Sequence, residues 1–145
     1  MQKSPLLVAN IFLWSRGKIL LLKRSPKHTF GNRSPWNCPG GSIEFGEAPQ
    51  DAIIREVQEE TGITPQVHRL IALWSETFPT GVQIIVYSYF GTTESRKVTI
   101  NHESVASQWF TVSQAMKVET FPNFNDGLLT SLQYYRTLER KGVRV

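Results

Sequence analysis

With one cysteine in 145 residues, Cys38, the sequence has no intrachain disulfide framework, and a reducing compartment suits it. It lacks any hydrophobic run approaching the roughly 20 residues of a membrane span. The apolar stretch over residues 5–14 is followed, not preceded, by Arg16 and Lys18, and a second apolar run starts directly after. That is not the layout of a secretory signal, so a cytoplasmic, soluble protein with no membrane partner is expected. Runs of like charge are missing too. Sixteen Lys and Arg against twelve Asp and Glu give a net +4 and a pI near 9.4, yet the positive residues are scattered, which argues against a nucleic-acid-binding stripe. Repeats, linkers and low-complexity segments are absent. What is present is a 40% hydrophobic and 11% aromatic composition, that of a globular protein and not of a disordered one. The length suits a single domain over 1–145 with a sizeable core, and is too short for two.

Apolar runs at 6–14 and 19–23, separated by Ser15-Arg16-Gly17-Lys18, predict a hairpin. Residues 25–37 are polar, with Pro26, Gly31 and Pro35, and predict a loop. Pro39-Gly40-Gly41 predicts a tight turn in which glycine permits close backbone approach and positive φ. Residues 49–61 predict a helix: Pro49 suits its first position, Asp51 the positive end of its dipole, and Gly62 a C-terminal cap. Strands are expected at 70–78 and 83–90 around Pro79-Thr80-Gly81, with short ones at 98–100 and 107–111 and a brief helical piece at 113–117. Leu128, Leu129, Leu132, Tyr135 and Leu138 predict a long amphipathic helix over 126–141 that packs on the sheet. Together these elements predict a layered α/β or α+β domain.

The charge that stands out is negative and lies in the helix at 49–61. At about 100° per residue, Glu56, Glu59 and Glu60 point within about 100° of one another, while Ile53, Ile54 and Val57 take the side a core would use. Arg55, four residues before Glu59, is the cation of that face. A solvated acidic face is the ordinary explanation of such a cluster. Against it, Glu59 and Glu60 sit at the negative end of the dipole, costing roughly 0.3–1 kcal/mol each. Glu56 and Glu60 are also a like-charge i,i+4 pair. A hard divalent cation reverses these signs, because it needs several oxygen ligands at once.

The segment from Gly41 through Glu47, Arg55, Glu56, Glu59, Glu60 and Gly62 to Ile63 resembles the Nudix signature at every fixed position, with Val57 and Ile63 apolar. At average residue frequencies a chance match in a chain of this length is on the order of one in ten million. The likeness covers 23 residues directly, and the element order carries it over nearly the whole chain. It implies the Nudix fold, a mixed central β-sheet between α-helices with a loop–helix–loop catalytic motif. It further implies a Mg2+-dependent hydrolase, with Mn2+ as substitute, cleaving a phosphoanhydride bond of a nucleoside diphosphate linked to another moiety. By this resemblance Glu56, Glu59 and Glu60 would hold the metal and the Gly40-Gly41 backbone would approach it. Glu59 would act as base or orient water, Glu47 would support the metal-bound water, and Arg55 would fix the glutamates through its planar donors. The chemistry fits, since metal ions neutralise phosphates and generate hydroxide at neutral pH.

Outside this segment the resemblance points to Glu103, shortly before Trp109-Phe110, as a further acidic group; a surface-loop glutamate is the alternative. Arg24 stands where relatives carry a basic residue facing phosphate; an exposed strand-end arginine competes. Phe121-Pro122-Asn123-Phe124-Asn125 resembles the Phe-Pro-x-x-Asn stretch of MutT-type enzymes, in which the asparagine reads a purine through its paired donor and acceptor. Asn125 is also placed to cap the last helix. Trp36 is a possible wall of the pocket, although Trp36, Trp74 and Trp109 also suit a core. Cys38 shows no useful spacing to His28, His68 or His102, so a cysteine hydrolase is not supported.

A small-molecule nucleotide is therefore the expected substrate, with a nucleoside triphosphate first. Nucleotide sugars, dinucleoside polyphosphates and RNA 5′ ends remain open, because family members share the catalytic helix across them. Nucleic acid is otherwise not expected as a partner. A non-catalytic Nudix-like ligand-binding module is the alternative of another class, disfavoured by the intact glutamates. Dimers are common in the family, but no apolar patch can be assigned to a homodimer interface from the sequence.

Overall fold

A computed structural model of the chain describes residues 4–28 and 36–145. Strand β1 (Leu6–Ser15) returns as β2 (Lys18–Arg24) through Arg16 and Gly17, whose φ of 49° and 79° make the two-residue turn that matches strand twist. A 3-10 turn at Pro26–His28 follows, then β3 (Trp36–Asn37), β4 (Gly40–Ser42) and helix α1 (Pro49–Thr61). Next come β5 (Gln66–Thr77), β6 (Gln83–Thr92), β7 (Ser104–Phe110) and helices α2 (Val112–Lys117) and α3 (Phe124–Arg140). The strands order as β3-β2-β1-β6-β5, with β4 added to β1 and β7 to β2. β1 and β6 run parallel from Leu6↔Ile84 to Trp14↔Thr92, whereas the other pairings are antiparallel. The result is the expected mixed sheet with helices on its faces.

Strand alternation divides the core in two. Ala9, Ile11 and Leu13, with Leu20 and Leu22, pack on Ile53 and Val57 of α1. Phe12 and Trp14, with Ile19, Leu21 and Phe90, pack on Phe124, Leu128 and Tyr135 of α3. Trp14 stacks on Tyr135 at 4.9 Å, and its Nε1 donates to Ser131 Oγ at 2.9 Å, so the one polar atom of a fully buried indole is satisfied. Leu6, Val8 and Asn10 share the face of Phe12 and Trp14, but there they line a cavity.

Several expectations need correction. Pro39-Gly40-Gly41 is not a turn with positive φ: Gly40 and Gly41 extend as β4 against Asn10 and Ala9. Glycine is needed there for close approach alone, since a Cβ on Gly40 would lie 2.2 Å from Ala9 O. Residues 98–100 form no strand; Thr99 N donates to Thr61 O at 2.9 Å, and Val98 and Ile100 pack beside α1. Leu129 is exposed, because α3 turns it away from the sheet. β5 begins at Gln66, four residues before the expected start, since pairing with β6 carries polar residues that periodicity alone leaves out. Of the loop expected over 25–37, residues 29–35 lie outside the described residues.

Candidate active site

Helix α1 begins at Pro49 and closes at Gly62, whose φ of 75° is the left-handed cap conformation that glycine adopts without strain. Its apolar side is fastened to the sheet by Ala52, Ile53 and Val57, all fully buried. That anchoring sets the carboxylates against β4. Glu60 is almost completely buried, 1% exposed, and accepts a hydrogen bond from Gly40 N at 2.9 Å. Glu56 lies over Gly41, where any Cβ would overlap its carboxylate. Glu59 is the exposed member of the three.

Arg55 distributes its donors among the glutamates. Its Nε donates to Glu47 Oε2 at 2.7 Å and its NH2 to Glu47 Oε1 at 3.0 Å, a bidentate pair across eight residues of chain. Its NH1 donates to Glu56 Oε1 at 3.0 Å and to Glu59 at 3.3 Å, and NH2 also reaches Ser42 O at 3.0 Å. These contacts explain opposite titrations in one cluster. The Arg55 hydrogen bond and the Glu44 amide bring Glu47 down to about 2. Burial pushes Glu56 up, against the pull of Arg55, and pushes Glu60 up to about 8 despite Arg24 and the Gly40 amide. Glu103 adds to both upward shifts, so it lies within electrostatic reach of Glu56 and Glu60 although it is distant in sequence.

Among the described residues, no three His, Cys, Asp or Glu side chains converge closely enough to hold an ion as they stand. Their oxygens are instead shared between Arg55 and the Gly40 amide. The donor set nonetheless fits a hard divalent cation: hard oxygen ligands, two of them destabilised as anions by burial, beside a backbone kept open by glycine.

Beside this cluster opens a cavity of about 610 Å³. Its wall carries Glu56, Glu103, Arg24, Lys27 and His28 as well as Trp36, Trp74, Phe78 and Phe121. Arg24 NH2 approaches Gly40 O at 3.4 Å. A pocket lined by both cations and flat aromatic groups can hold an anionic ligand that bears a ring.

Glu47, Arg55, Glu56, Glu59, Glu60, Gly40, Gly41, Arg24, Glu103 and Trp36 are thus gathered in one region. Asn125 is not: it is exposed in the first turn of α3 and is absent from the cavity wall. Nor does it cap that helix, whose N-cap is Asn123 with φ 68° and no side-chain bond. Buried Cys38 has its thiol pushed up by desolvation, which makes it a poor nucleophile. Lys27, Phe78 and Asn10 were not expected at the site. Asn10 had a signal in the sequence, as the one amide within an apolar strand.

The NUDIX domain model matches residues 4–132, and the chain belongs to the Nudix family. Among curated relatives, the 8-oxo-dGTP diphosphatase of Escherichia coli K12 is 40% identical over 62 residues, 43% of this chain and 46% of that protein. The ADP-ribose pyrophosphatase of Methanocaldococcus jannaschii is 41% identical over 58 residues, 40% of this chain and 32% of that protein. The matched stretch therefore spans less than half of either relative. The crystal structure of a MutT protein from Methanosarcina mazei Go1 shares the fold, with a TM-score of 0.77 at 24% identity, covering 94% of this chain and 99% of that one. No helix among the described residues is long and apolar enough to cross a membrane.

Proposed function

We propose that the chain is a Mg2+-dependent hydrolase of a phosphoanhydride bond in a small nucleotide, with a nucleoside triphosphate as the favoured substrate. The observation that carries this reading is the junction of the Arg55-ordered carboxylates with a cavity whose wall holds both cations and aromatic rings. Glu56 and Glu60, with the backbone at Gly40 and Gly41, would hold the cation, joined by Glu59. Bound there, a divalent ion supplies charge neutralisation at the bridging phosphates and lowers the pKa of water. Arg55 keeps the carboxylates oriented, and Glu59, the most accessible, accepts the proton of the attacking water. Glu47 is held anionic by Arg55 and supports that water, while Glu103 adds negative charge beside Glu56 and Glu60. Arg24 and Lys27 draw the phosphate chain towards the carboxylates. The similarity to an 8-oxo-dGTP diphosphatase supports a triphosphate substrate, and that to an ADP-ribose pyrophosphatase supports the shared bond type.

The test is a panel of normal and oxidised nucleoside triphosphates, dinucleoside polyphosphates, nucleotide sugars and 5′-triphosphorylated RNA in magnesium, with products separated chromatographically. Triphosphate turnover that falls about 10²–10⁴-fold in Glu59→Gln is the expected outcome. Full activity in that variant, or no turnover of any compound by folded wild type with magnesium bound, overturns the reading.

A further inference from the structure

The cavity wall contains a chain of hydrogen bonds that the proposed hydrolysis does not use. Trp74 Nε1 donates to Ser88 Oγ at 3.3 Å, and Ser88 Oγ donates to Asn10 Oδ1 at 2.6 Å. Asn10 and Ser88 are register partners on the parallel strands β1 and β6, and they are only 7% and 2% exposed.

The direction of this chain follows from the donors available. An indole N–H can only donate, so Ser88 Oγ accepts from Trp74 and keeps its own proton to give. Turning the Asn10 amide round would set a second donor on Ser88 and leave that proton without an acceptor. An unmet buried donor costs about 1–3 kcal/mol, so the carbonyl end of Asn10 faces Ser88. Its Nδ2 is thereby turned away from Ser88, and no acceptor among the described residues bonds it. Asn10 lines the cavity together with Trp74 and Phe121, whose rings stack on each other at 5.8 Å and 13°.

We infer that Asn10, locked by Ser88 and Trp74, offers a base in this cavity N–H donors only, and so selects nucleobases with a carbonyl edge over those with an amino group. An asparagine with both amide ends free suits adenine, whose edge pairs an N6 donor with an N7 acceptor; a donor-only amide suits the O6 and N7 acceptors of a 6-oxo purine. Against adenine, the amino group would meet another donor, and a site that leaves such groups unpaired rejects the mismatched ring. The inference rests on the nucleotide reading above.

The test compares kcat/KM for inosine and adenosine triphosphates, which share the purine scaffold and differ in the groups at C6 and N1. Wild type is expected to favour inosine triphosphate by about tenfold or more. Trp74→Phe keeps an aromatic ring but removes the N–H that orients Ser88, and Asn10→Ala removes the amide; both bring the ratio towards one. Asn10→Asp, an acceptor, carries it below one. Thermal melts identify any variant that fails to fold, and the ratio is then read from the others. Equal kcat/KM in wild type, or a ratio unchanged in Trp74→Phe and Asn10→Ala, overturns the assignment. If neither nucleotide is turned over, they are not substrates of the hydrolase, an outcome distinct from failure of the base assignment. The ratio is then taken from equilibrium binding of the same two nucleotides, where equal or undetectable binding overturns the base assignment as well.

Discussion

The carboxylate of Glu56 fills the space that a side chain on Gly41 would need: a Cβ there would fall 2.5 Å from Glu56 Cδ and 2.6 Å from both of its oxygens. A glycine on β4 thus decides where a candidate metal ligand of α1 lies. Gly41→Ala should displace Glu56 while leaving the core of Ile53 and Val57 intact. Activity is expected to fall about 10²-fold, as for a misplacement of about 1 Å. Steady-state kinetics beside a thermal melt checks this; a large loss of stability with normal turnover would contradict it.

Arg55→Lys should act differently from its charge-conserving appearance. Lysine cannot reproduce the fork that serves Glu47, Glu56 and Glu59 together, so turnover should drop on the order of 10²-fold. Glu47 is lowered to about 2 in the folded state from an ordinary 4.5, so its contribution is complete above 4.5 and lost as pH falls towards 2. Urea midpoints across that window should fall less steeply in the variant than in wild type.

Glu60 carries the opposite sign. With a folded value of about 8 against 4.5 unfolded, the folded state keeps a proton that the unfolded state has lost between those limits, so metal-free stability falls as pH rises through that window. Glu60→Gln keeps an acceptor for Gly40 N without the charge. In chelator at pH 8 it should melt higher than wild type, by a few kcal/mol of stability, while its response to added magnesium is lost. Melting curves with and without the metal measure both.

Ser131→Ala tests the core beneath α3, away from the cavity wall. Ser131 Oγ accepts from Trp14 Nε1 at 2.9 Å and donates to Leu128 O at 2.8 Å, all buried. Removing it leaves the indole N–H unpaired, a loss of about 1–3 kcal/mol visible in chemical denaturation. The site is not involved, so kcat/KM should stay within twofold of wild type.

Where patterns were local, the sequence was sufficient. The helix at 49–61 was legible with both ends, because Pro49 and Gly62 act on the backbone beside them. The Arg16-Gly17 hairpin was legible for the same reason. The spacing of Glu56, Glu59 and Glu60 declared a charged face, but not that Glu60 would be buried and Glu59 exposed. That difference depends on which side of α1 meets β4, a contact between elements with no short-range signal. The parallel pairing of β1 with β6 joins residues 78 positions apart, such as Asn10 and Ser88, and together with the β5–β6 pairing it brings Trp74 to the cavity beside Asn10. Asn125 shows the converse: its motif was local, while its exposure and its place off the cavity wall were set by how α3 packs on Phe12 and Trp14. The sequence by itself determined the carboxylate-bearing helix, the hairpin and the family. Only the tertiary structure decided the burial of each carboxylate and the walls of the cavity, because desolvation and long-range pairing belong to the packed chain and not to any segment of it.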